Sequence, residues 1–138
     1  MNTYYYNDES FKNTESYQKY IDENPEKGYL KIRAYAASSA IPIPNLQITI
    51  FKIIDQNKII FYEGYTDSSG VIEKIVLPAP KLNINNMIKP SNTIYNIDAT
   101  YIPDNITQRY TARMYEDVCV VQDINIVPIM KVGGFNGN

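Results

Sequence analysis

From Gly28 to about Met130 the chain alternates between apolar and polar residues. Leu30, Ile32 and Ala34 alternate with Lys31, Arg33 and Tyr35, and Leu46, Ile48 and Ile50 with Gln47, Thr49 and Phe51. A period of two predicts strands that bury one face. Asn57–Thr66 reads as a further strand. The turn Asp67-Ser68-Ser69-Gly70 follows it, with Asp at the turn start and Gly where positive φ is needed. Val71–Leu77 returns and is expected to end at Leu77-Pro78-Ala79-Pro80, because prolines do not serve a central ladder. Thr93–Tyr101, with Tyr95, Ile97 and Ala99 on one face, precedes a turn at Pro103-Asp104-Asn105 and a strand over 106–114. The last strand is expected over Val118–Ile129, with Ile124, Ile126 and Pro128 in phase. Seven short strands without helical periods between them predict an all-β fold, a single two-sheet sandwich.

Residues 1–27 form a different segment, polar, acidic and rich in tyrosine. Thr14 is placed to cap a short helix, with Glu15 in its first turn. Tyr17, Tyr20 and Ile21 then share one helical face, and Asn24-Pro25 stops the helix. This N-terminal extension has too few apolar anchors to order itself. It must dock on its own sandwich, pair with a neighbour's sheet edge, or stay disordered. The sandwich domain is assigned to 28–130, and 131–138 is read as a flexible Gly-rich tail.

Composition narrows the chemistry. The chain has 138 residues, 44% of them hydrophobic, which supports one domain with a real core. A net charge of -2 with scattered basic residues gives no field for nucleic acid or an anionic membrane. The absence of histidine removes most metal sites and His-based general bases, so no cofactor, metal or catalytic residue is assigned. Cys119 has no second cysteine to bridge; within Val118-Cys119-Val120-Val121 it reads as a buried thiol. Asp67, Ser68 and Ser69 offer one carboxylate, too few for calcium, so Asp67 reads as a turn cap. No apolar run reaches the roughly 20 residues of a membrane span, and Met1–Ser10 lacks the features of a signal peptide. Synthesis in the cytosol is therefore expected.

The motifs also have a telling order. Gly28-Tyr29-Leu30-Lys31-Ile32 is followed by Pro42-Ile43-Pro44-Asn45-Leu46-Gln47-Ile48, then Thr66-Asp67-Ser68-Ser69-Gly70, then Leu77-Pro78-Ala79-Pro80. Tyr95-Asn96-Ile97-Asp98-Ala99 and the closing Gln122-Asp123-Ile124-Asn125-Ile126-Val127-Pro128 complete it. Over residues 24–130 this order resembles the transthyretin-like (prealbumin-like) sandwich of carboxypeptidase regulatory-like domains and CnaB-type surface modules. It is also similar to the amino-terminal domain of spore-cortex-lytic enzymes. The resemblance implies a seven-stranded transthyretin-like β-sandwich, with Thr66, Asp67 and Gly70 as its turn signature. CnaB-type modules often carry a Lys–Asn isopeptide bond; here the inward positions for its lysine and glutamate are Ala34 and Ala99, so no such bond is expected. Transthyretin-related hydrolases use histidines, which this chain lacks. The catalytic and peptidoglycan-binding parts of the lytic enzymes have no counterpart.

These observations lead to a non-enzymatic structural subunit that self-associates through sheet edges and its extension, in a bacterial spore coat or surface layer. Its partner is expected to be itself, as a homo-oligomer or fibre, or cell-wall and spore components. The chain holds 13 tyrosines and no tryptophan, and Tyr supplies a large apolar body with a polar tip at contacts. The expected interaction residues are Tyr4, Tyr5, Tyr6, Phe11, Tyr17 and Tyr20. The rival reading is a stand-alone binding module for cell-wall glycan or a partner enzyme, with outward tyrosines stacking on sugar rings.

Overall fold

The computed structural model describes residues 1–36, 40–83, 85 and 90–126. The expected tail at 131–138, and the end of the last strand with Pro128 and Ile129, lie outside the described residues. In chain order the elements are β1 (Thr3–Tyr5), α1 (Glu9–Lys12), α2 (Glu15–Glu23), β2 (Glu26–Ala36), β3 (Ile41–Pro42), β4 (Gln47–Ile54), β5 (Asn57–Tyr65) and β6 (Val71–Ala79). β7 (Thr93–Tyr101), a 3₁₀ turn (Ile102–Asp104), β8 (Ile106–Met114) and β9 (Cys119–Asn125) complete them. There are nine strands among the described residues rather than seven; the additional ones are β1 and the two-residue β3.

Two mixed sheets enclose one core. The first has the order β1-β5-β4-β7-β8, with β1 parallel to β5. In the second, β2 is central: β6 and β3 pair antiparallel along one edge, and β9 pairs parallel along the other. Leu30, Ile32 and Ala34 of β2 meet Ile48 and Ile50 of β4, Tyr95, Ile97 and Ala99 of β7, and Ile124 of β9 in that core. The period-two reading thus places the inward residues correctly, Ala34 and Ala99 included, both fully buried. Lys31 lies on the outer face, 3.2 Å from Glu73.

Local chemistry explains where the elements turn. Thr14 caps α2 as expected: its hydroxyl accepts from the Tyr17 amide (3.2 Å) and donates to the Phe11 carbonyl (2.7 Å). The Asp67 carboxylate accepts from the amides of Ser69 (2.9 Å) and Val71 (3.0 Å), which is the turn-capping role. Thr66 is buried and ties the loop before β4 to the end of β5. Its hydroxyl donates to the Ile43 carbonyl (2.6 Å) and accepts from the Leu46 amide (2.9 Å). β6 continues through Pro78 to Ala79, past its expected end, because it is an edge strand and the missing amide faces away from the ladder. Phe51 faces outward from β4 yet is covered, with the Lys58 ammonium 4.5 Å and the Arg109 guanidinium 4.9 Å from its ring centre.

The β4–β5 hairpin closes on Asp55-Gln56, both at positive φ (+49° and +68°). Two such residues make the tight turn that suits strand twist, a turn normally supplied by Asn-Gly. Gln56 carries a side chain where glycine is preferred. Gln56→Gly is therefore expected to stabilise the fold by about 1 kcal/mol, read as a higher urea midpoint.

Candidate functional site

The extension docks on its own sandwich. β1 adds to the outer edge of β5, with Thr3, Tyr4 and Tyr5 opposite Lys58, Ile59 and Ile60. The Lys58 amide donates to the Asn2 carbonyl and the Tyr6 amide to the Ile60 carbonyl, both at 2.8 Å. α1 and α2 then fold over the place where the sheets part. Tyr6 stacks on Phe61 at 4.5 Å and lies 5.4 Å from Tyr17, while Phe11 is edge-on to Tyr17 at 5.6 Å. Tyr20 sits 5.5 Å from Phe61, and Phe61 meets Tyr95 edge-to-face at 5.0 Å. These offsets suit attraction between ring edges and faces.

Five of the six expected interaction residues, Tyr4, Tyr6, Phe11, Tyr17 and Tyr20, therefore belong to this internal junction. Phe11 and Tyr20 are buried within it. Tyr5 alone is exposed, at 44%, and its hydroxyl donates to Glu63 (2.9 Å). Tyr95, read as an inward residue of its strand, completes the junction with Phe61 and Lys52, which escaped the sequence reading. For Phe61 the signal was hidden by a bulge: Ile50 pairs with Tyr62 but Phe51 with Ile60, so Phe61 is an extra residue in β5.

The polar groups of the junction are matched to one another. The Tyr20 hydroxyl donates to the Tyr95 hydroxyl (2.7 Å), which donates to the Pro78 carbonyl (2.6 Å). Burial pushes the Tyr20 phenol up to about 12 and raises Tyr95 and Tyr6 as well. Lys52 points into the same region, over the rings of Tyr95 (5.1 Å) and Tyr20 (5.5 Å), and donates to the Thr93 hydroxyl (2.6 Å). Burial lowers its ammonium pKa. Beside it lies a cavity of about 300 Å³, lined also by Glu23, Asp55 and Ser16. Ser16 hydrogen-bonds the Asp55 carboxylate, which fastens α2 to the β4–β5 turn.

Raised phenol pKa values give a pH prediction. An unfolded tyrosine ionises near about pH 10, whereas the folded junction holds its phenols protonated. Their contribution is whole below that value and is lost as pH rises through it towards 12, the folded value of Tyr20. Lys52 acts in the opposite sense, since deprotonation relieves its burial, but it is one group against three phenols. The melting temperature is expected to stay level to about pH 9 and fall steeply above about pH 10.

The second surface of interest is the outer face and free edge of the second sheet. Cys119 is exposed here, which corrects the buried-thiol reading. It begins an edge strand whose alternate residues point to solvent, so an apolar run in sequence becomes half-exposed in space. Val118 and Val121 beside it are 45% and 47% exposed. On the same face Arg33 forms a two-pronged ion pair with Asp123 (2.8 and 3.2 Å), and the Lys74 ammonium lies 4.9 Å from the Tyr29 ring centre.

No known protein family matches this chain, and no curated protein matches its sequence. Of the two surfaces, the first is an internal clamp in which the Tyr20 and Tyr95 phenols are hydrogen-bonded in series. The second is open.

Proposed function

We propose that this chain is a non-catalytic structural subunit that associates with further copies of itself through its sheet edges. In this reading it is a transthyretin-like sandwich in the coat or surface layer of a bacterial spore. The observation that carries the reading is the outer edge of β9. Among the described residues no strand pairs with it, and Val118, Cys119 and Val121 lie exposed along it. An unpaired, apolar edge is a template for another strand.

The Tyr-rich extension has a different part in this reading from that of a link between copies. Docked on its own body, it covers β5 and stiffens the subunit, and Tyr5 remains for contact. The spore setting and the transthyretin-like assignment rest on the motif order over residues 24–130. The two-sheet architecture and the buried Ala34 and Ala99 are compatible with them. Size-exclusion chromatography with electron microscopy of concentrated protein tests the reading. Dimers or larger assemblies are expected; a clean monomer at every concentration contradicts it.

A further inference from the structure

Among the described residues several strand edges have no strand partner, and they are not equivalent. β1 is a three-residue strand. β6 carries Glu73, Lys74 and Pro78, devices that discourage strand addition. β8 exposes Arg109 and Arg113. β9 has no proline, and its one charge inside the strand, Asp123, is already held by Arg33. It is the least protected of the four.

The direction of its backbone groups is fixed by two bonds. The Tyr29 amide donates to the Val118 carbonyl (3.0 Å), and the Ile126 amide donates to the Tyr35 carbonyl (2.8 Å). Even-numbered residues thus turn their backbone groups towards β2. Odd-numbered residues turn theirs away, because N–H and C=O of one strand residue share a side. The Asn125 carbonyl accepts from the Tyr110 hydroxyl (3.3 Å), which closes that end. The Asp123 carbonyl accepts from the Gln122 side chain (3.0 Å), an exposed contact that can yield. Among the described residues no strand pairs on that side of β9, so Cys119 and Val121 turn both backbone groups away from β2 with no strand partner, and Asp123 its amide.

We propose that β9 pairs antiparallel with β9 of a second copy, centred on Val121, joining the two second sheets into one. This rests on the reading of the chain as a self-associating subunit and specifies the edge and the register. Charge and length select the centre. About Val121, Val121 faces its own copy and Cys119 faces Asp123, so no like charges meet and the three outward residues all find partners. About Asp123, two carboxylates would face each other. About Cys119, Val121 would face Asp117, which stands at φ +58° outside the strand and ends the ladder. A strand that is complementary to itself around its own midpoint suits a two-fold contact between identical chains.

The test is register-specific cross-linking of the full chain. In a Cys119→Ser background, Val121→Cys places two thiols on one hydrogen-bonded pair. Its Cα atoms would lie about 5.5 Å apart, within the range a disulfide spans. Under mild oxidation this variant is expected to form covalent dimers at least about tenfold faster than Thr111→Cys, an exposed control on β8. Equal rates overturn the proposal. As a second arm, Val121→Lys sets two ammonium groups face to face and should weaken dimerisation by about tenfold or more while circular dichroism stays unchanged. Undiminished dimerisation of that variant also overturns it. If the chain self-associates but fails both arms, the β9 register falls and the structural-subunit reading stands. If it never self-associates, both fall.

Discussion

Tyr20→Ala is expected to lower stability by about 3–5 kcal/mol and to release the extension from the sandwich. Tyr20 is 6% exposed and is the point where α2 meets the body. Removing it deletes the ring packed against Phe61 and Tyr6 and leaves a hole over Tyr95 and Lys52. The Tyr95 hydroxyl would keep its bond to Pro78, so the core beneath should survive. Urea unfolding measures the loss, and hydrogen exchange places it: amides of β1 and α2 should lose protection while those of β4 and β7 keep theirs. Tyr20→Phe, which removes only the hydroxyl, should cost about 1 kcal/mol.

Gly70→Ala is the second large effect. Gly70 stands at φ +76°, where an L side chain costs about 1–2 kcal/mol by itself. An added Cβ would lie 2.6 Å from the Ala34 carbonyl oxygen and 3.0 Å from the Ile43 nitrogen. Both are backbone atoms in a junction of β2, β3 and β6, where the Ala34 amide donates to Gly70 and the Ile43 amide donates to Ala34. None can move without breaking a ladder bond. A total loss of about 3 kcal/mol or more is expected, again from urea unfolding, with the turn at Asp67 as the first region to lose exchange protection.

The residues that announced themselves in the sequence are those whose environment is local. Alternation over Leu30–Ala34 and Leu46–Ile50 reports a buried face directly. Thr14 and Asp67 accept bonds from amides two to four residues away, so their roles are written in short spacings. The features that were not legible depend on distant strands. Cys119 is exposed because β9 is an edge, and that follows from its parallel pairing with β2, roughly ninety residues earlier in the chain. Phe61 reaches the junction through a bulge, and Lys52, in phase with Ile48 and Ile50, finds its partners on α2 and β7. The Asp55-Gln56 turn went unrecognised because Gln56, at φ +68°, stands where such turns usually carry glycine. Of the extension's five expected tyrosines and Phe11, only Tyr5 is exposed; the others are buried or half-buried against the chain's own residues.

This division gives the molecule two kinds of surface. Aromatic residues from the extension are spent on closing the sandwich, and the apolar residues left exposed along β9 come from the body. Sedimentation equilibrium of the intact chain, carried to the highest soluble concentration, tests that account most directly. It predicts a reversible shift from the mass of one chain to that of two, weakened by Val121→Lys. The mass of a single chain throughout would contradict it.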